Sequence, residues 1–145
     1  MFKSAALLSL VQSMSKPEKK AFNVAFSKSG PMPHYLSLYN LASKDKAMTP
    51  DTLRDKFLKQ HKGASFDTTV KYLYKILLDT MLELRSEQDS YYSLFDKILK
   101  ARILFEKSLF DECFDLLQNV ISRARKLENY YALLIASRLE LEYLL

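Results

Sequence analysis

Residues 101–127 read ARILFEKSLFDECFDLLQNVISRARKL. Phe110, Cys113, Phe114, Leu117, Ile121 and Ala124 recur there at steps of three and four, the spacing that puts apolar side chains on one helix face. Asp111 and Glu112 stand at the end where a helix dipole is positive, and Arg123, Arg125 and Lys126 at the end where it is negative. Ser108-Leu109 interrupts the pattern. The stretch is therefore the end of one helix, a short break and a second helix over about 110–127.

The flanking sequence has the same period. Tyr91, Leu94, Phe95, Ile98, Ala101 and Phe105 form the buried face of a helix predicted over 87–107, with Ser86 as its cap and Asp89 at the third position. Before it, Phe66, Val70, Leu73, Leu77, Met81 and Leu84 predict a long helix over 66–86, thickened by Tyr74, Leu78 and Leu82. Asp67, Lys71, Lys75, Asp79 and Glu83 line its other side at a spacing of four. A last helix is predicted over 129–145.

Four shorter helices precede these. The first, about 3–14, turns Ala6, Leu7, Leu10, Val11 and Met14 inward. Ser15-Lys16-Pro17-Glu18 has the form of a capping box, and Pro17 is tolerated in a first turn, which needs no intrahelical donor. Ala21, Phe22, Ala25 and Phe26 make the stripe of the second helix, which Gly30-Pro31 stops. The third, over 33–43, buries Tyr35, Leu38, Tyr39 and Ala42. Thr49-Pro50 opens the fourth, with Leu53, Phe57 and Leu58 inward and Gly63 past its end. No segment alternates with period two, and two Gly in 145 residues cannot supply the tight turns of a β-sandwich or barrel. The expected class is all-α.

Residues 1–75 carry 13 Lys/Arg against 5 Asp/Glu, a net of +8, and residues 76–145 carry 9 against 12, a net of −3. Pattern and charge together divide the chain into a basic N-terminal bundle, 1–64, and a rear set of helical hairpins, 65–145. The rear set repeats itself. Phe66-Asp67 and Phe110-Asp111 each open a helix; Tyr91-Tyr92 and Tyr130-Tyr131 follow; then come Ala101-Arg102 and Ser137-Arg138. Units of roughly 36–44 residues in this order fall within the range of helical solenoids.

Residues 101–127 resemble a tetratricopeptide-type repeat. Leu104, Lys107, Phe110, Cys113, Leu117 and Val120 stand where that family places its packing and turn residues. Cys113 takes the place of the usual small Ala, Lys107 that of the usual turn Gly, and no Pro follows Lys126. A fainter likeness runs over 66–145. The resemblance implies stacked antiparallel hairpins (an α-solenoid) and a partner-binding role without catalytic residues.

Such a stack presents equivalent positions of alternate helices as one continuous surface. The candidate partner groove is Tyr91, Tyr92, Arg102, Tyr131 and Arg138. A blander role for tyrosines is to bridge core and water as amphipathic rings. The alternative function is nucleic-acid association through the basic half, with Lys16, Lys19, Lys20, Lys56, Lys59 and Lys62 as the phosphate-binding patch. Arg54 is the only Arg there, so base reading by bidentate Arg is not expected.

Catalysis and metal binding find no constellation. Cys113, the single Cys, sits on an apolar face and reads as a packing residue, and it excludes an intramolecular disulfide. His34 and His61 lie near helix ends without a second ligand at metal spacing. The carboxylates Asp111, Glu112, Asp115, Glu140 and Glu142 read as solvated faces. No enzyme activity, cofactor or metal is expected. The apolar run at 5–11 is too short for a signal peptide core with its cleavage site, and no stretch approaches a membrane span. A cytoplasmic chain is expected. The last helix ends in Leu139, Leu141, Tyr143, Leu144 and Leu145 without a polar cap. The expectation is that the chain is the N-terminal part of a longer protein or self-associates through residues 129–145.

Overall fold

A computed structural model describes residues 4–26 and 33–145. The described residues form eight α-helices and no strand: α1 Ser4–Ser13, α2 Lys16–Phe26, α3 His34–Lys44, α4 Pro50–Gln60, α5 Phe66–Gln88, α6 Ser90–Glu106, α7 Phe110–Lys126 and α8 Tyr130–Leu144. The expected stop at Gly30-Pro31 lies outside the described residues.

Local chemistry sets the helix starts. The Glu18 carboxylate accepts from the Ser15 N–H (2.9 Å) and Ser15 Oγ accepts from the Glu18 N–H (3.3 Å), the reciprocal capping box. Thr49 Oγ1 accepts from the Thr52 N–H, with Pro50 at the first helical position. Past α4 the chain turns at Gly63, whose φ of +85° suits a residue without Cβ.

The chain divides into two compact units, Met1–Leu84 and Arg85–Leu145. In the first, α1 packs on α3 and α4, and α3 on α4. Leu7, Leu8, Val11, Phe22, Leu38, Tyr39, Leu53 and Phe57 share one core with Phe66, Val70, Leu73, Ile76 and Leu77. The expected division at 64/65 is thereby moved: the buried face of α5 belongs to the front core, not to the rear hairpins. Within that core the Phe22 ring lies 4.4 Å from Tyr39, and Phe57 lies 5.7 Å from Phe66. In the second unit α6, α7 and α8 all pack on one another. Their core is Leu94, Ile98, Ala101, Cys113, Leu117, Val120, Ile121, Ala124, Ala132 and Ala136. The alanines let the helices approach closely, and each large buried side chain contributes about 1.5–3 kcal/mol.

Several expectations change in detail: Leu78 and Leu82 on α5 and Ala25 on α2 are exposed rather than part of the buried rows. Ser86 lies inside α5, and the cap of α6 is Asp89, whose Oδ1 accepts from the Tyr91 N–H at 2.8 Å. Tyr91 and Phe110 are 52% and 46% exposed rather than buried. Both stand in the first turn of their helix, though the Phe110 ring still meets Phe105 at 5.3 Å. On α1, Leu8 is buried where Ala6 was expected, and Ala6 is exposed. Among the described residues no helix is long and apolar enough to cross a membrane.

Candidate interaction site

The two turns of the second unit are copies of one another. After α6, Lys107 has φ −87° and ψ 4°, Ser108 has φ 61°, and Leu109 has φ −91° and ψ 71°. After α7, Leu127 has φ −91° and ψ 0°, Glu128 has φ 55°, and Asn129 has φ −85° and ψ 84°. The hydrogen bonds match as well. The Leu109 N–H reaches back to the Leu104 carbonyl, and the Asn129 N–H to the Ala124 carbonyl, both at 2.9 Å. These are the six-to-one bonds of a left-handed helix cap, which satisfy carbonyls the helix itself leaves orphaned. Each turn reverses the chain in three residues, so α6 and α8 run the same way.

The start of α6 and the start of α8 border a cleft of about 370 Å3, lined by Ser90, Tyr91, Leu127, Glu128, Asn129, Tyr130 and Tyr131. Tyr91 and Tyr131 of the expected groove therefore share one cleft. Tyr92 is half-buried beside Tyr91, with ring centroids 5.7 Å apart. Arg102 and Arg138 do not line that cleft. Each is held along its own helix, Arg102 on Glu106 at 3.4 Å and Arg138 on Glu142 at 3.3 Å. The offset between the two arginines misjudges the register. The matched caps Asp89 and Asn129 are 40 residues apart, which aligns Tyr91 with Tyr131 but sets Arg138 one helical turn early relative to Arg102.

What the sequence left apart, the first unit brings together. The rings of His34 and His61 lie 4.5 Å apart, and both pack against Phe57. His61 Nε2 lies 2.8 Å from Oγ of the buried Ser37, and Ser37 donates to Gln60 Oε1 at 3.1 Å. The two histidines are thus a packed pair, with His34 exposed and His61 half-buried. Ser37 is held between the Gln60 amide and the His61 ring. Only the folded chain could reveal this pair, since α3 and the end of α4 supply one histidine each.

Cys113 is buried at the α6–α7–α8 junction, and burial pushes its thiol pKa up, away from the reactive thiolate. Among the described residues no three His, Cys, Asp or Glu side chains are placed to hold a metal ion. The six lysines of the alternative patch are all exposed, with Lys16, Lys19 and Lys20 on α2, Lys56 and Lys59 on α4, and Lys62 just beyond it. Comparison with family models, curated proteins and solved structures finds no match.

Proposed function

We propose that this chain is a non-enzymatic interaction protein of the helical-repeat kind, similar to tetratricopeptide units in its rear part. On this reading it binds a protein or peptide segment at the tyrosine-lined cleft. The observation that carries the reading is the recurrence of one turn conformation 20 residues on, from Lys107 to Leu127. A repeated turn sets helices at a repeated angle, which is how a stack builds a recognition surface from alternate helices. The exposed rings of Tyr91, Tyr130 and Tyr131 suit such a surface, because tyrosine offers large, rigid, amphipathic contact area at low entropic cost. The lone buried Cys113 accords with a reducing, cytoplasmic setting.

The test is affinity capture followed by measurement of Kd for each captured partner, with the wild type and with Tyr91→Ala/Tyr131→Ala. Loss of at least about tenfold in affinity is expected for two truncated aromatic anchors. A partner bound equally well by both forms overturns the cleft as the site.

The basic front half favours a second reading, docking on nucleic acid. It requires binding to random-sequence DNA or RNA that weakens steeply with salt. It also requires that binding vanish when Lys16, Lys19, Lys20, Lys56 and Lys59 are changed to Glu. No binding at low salt removes it.

A further inference from the structure

We infer that the tyrosine-lined cleft of the second unit holds a cationic side chain, lysine or arginine, of the segment it binds. The inference rests on the partner cleft proposed above and assigns the chemistry of its occupant. Three aromatic rings border the cleft and stand in water, with Tyr130 and Tyr131 64% and 75% exposed and Tyr91 half-exposed. Tyr91 is braced by edge contacts with Tyr92 at 5.7 Å and Phe95 at 5.0 Å, so it has little freedom left to lose on binding. An aromatic face attracts a cation through its quadrupole. Lysine and arginine can also lay their apolar stems along such rings.

Charge selects the same occupant. Among the described residues that line the cleft, Glu128 alone carries a charge. Its side chain is exposed, and among the described residues no basic side chain pairs with it. Asp96, Glu106 and Glu142 of the same unit, by contrast, hold Lys100, Arg102 and Arg138. The left-handed turn fixes the Glu128 backbone, whose φ is 55° and whose N–H bonds to the Arg125 carbonyl at 3.2 Å. An unpaired carboxylate on a rigid turn beside three exposed rings is complementary to a cation, which each ring and the carboxylate attract together.

The starts of α6 and α8 also border the cleft, and a helix start favours anions. The α6 start already has one, since the Asp89 carboxylate accepts from the Tyr91 N–H, and at the α8 start Asn129 Oδ1 accepts from the Ala132 N–H. What remains at the α8 start is at most about half a positive charge, less than the full charge of Glu128. The place of the cation is fixed as well. Arg125 lines the adjoining cleft of about 430 Å3, which shares Tyr130 with the first. A basic side chain is repelled there and is confined to the side that holds Tyr91 and Glu128.

Nuclear magnetic resonance of ring-labelled tyrosines in the full chain tests this with two probes, Nα-acetyl-argininamide and Nα-acetyl-citrullinamide, nearly equal in shape and unlike in charge. The argininamide should shift the Tyr91, Tyr130 and Tyr131 rings saturably at millimolar concentration and leave Tyr72, an exposed ring of the first unit, unshifted. The citrullinamide should bind at least about fivefold more weakly, through loss of the cation–π contact and an exposed ion pair. Glu128→Gln should weaken argininamide binding about threefold with unchanged helical circular dichroism, and should not alter citrullinamide binding. Arg125→Ala should not weaken either probe. Equal affinity for the two probes overturns the proposal. So does indifference to Glu128→Gln, or the lack of any shift at those three rings by argininamide up to about 100 mM. The partner reading is judged separately, by captured partners and Tyr91→Ala/Tyr131→Ala. A partner lost by that variant, beside equal binding of the two probes, keeps the cleft as the site and removes the cation from it.

Discussion

Ser108→Gly and Glu128→Gly should each stabilise the second unit, and by nearly the same amount. Both residues hold positive φ, 61° and 55°, where the Cβ of an L-residue crowds the following carbonyl. Relief of that crowding is worth roughly 1–2 kcal/mol, and glycine gives back about 0.5–1 kcal/mol through the extra freedom of the unfolded chain. The net gain is about 0.5–1 kcal/mol per turn. The two turns are 20 residues apart and share no hydrogen bond, so the gains should add. Urea denaturation followed by circular dichroism reads this as a higher midpoint at constant slope. Ser108→Ala keeps the Cβ and should change stability by less than about 0.5 kcal/mol. If either glycine variant loses stability while the alanine variant holds, the turns are not left-handed caps and the matched geometry of α6–α7 and α7–α8 fails with them.

Other outcomes follow from burial and caps. Leu117→Ala, in the middle of the second core, should cost about 2–5 kcal/mol by denaturation, whereas Leu99→Ala, exposed on α6, should cost under about 0.5 kcal/mol. Asn129 Oδ1 accepts from the Ala132 N–H at 3.1 Å, so Asn129→Ala should cost about 1 kcal/mol in the same assay. A thiol reagent should modify Cys113 at least about a thousandfold more slowly in the native chain than in denaturant, because access requires opening the core. Burial raises the pKa of Tyr39, Tyr143 and Cys113, so in each case the folded chain retains a proton that the unfolded chain releases. Stability should therefore be level near neutrality. It should fall as the pH rises through the ordinary thiol and phenol values, and Cys113→Ala should remove the earlier part of the fall.

The helices were legible because each carries its own period and several carry their own caps. Ser15 with Glu18 and Thr49 with Pro50 specify helix starts without help from the rest of the chain. Side-chain burial near helix ends was less legible, because period alone cannot say how far a neighbour extends. Tyr91 and Phe110 lie on the apolar phase yet sit in first turns and are half-exposed. The left-handed turns carried no signal, since Ser108 and Glu128 occupy positions where glycine is usual. The contacts of His61 with His34 and Ser37 depend on how α3 meets the end of α4, a tertiary fact with no local trace. Of the groove residues, Tyr91 and Tyr131 line one cleft because matched caps place them in register, and the two arginines fall a helical turn out of step.

The mutual packing of α6 and α8 across α7 is the contact on which the repeat reading rests. It places the Phe105 and Tyr143 rings in parallel stacking with centroids 3.8 Å apart. Nuclear Overhauser spectroscopy on selectively ring-labelled protein tests it directly. Strong cross-peaks between the Phe105 and Tyr143 rings are the expected result; their absence, in a spectrum that retains the Phe105–Phe110 cross-peaks, would contradict it.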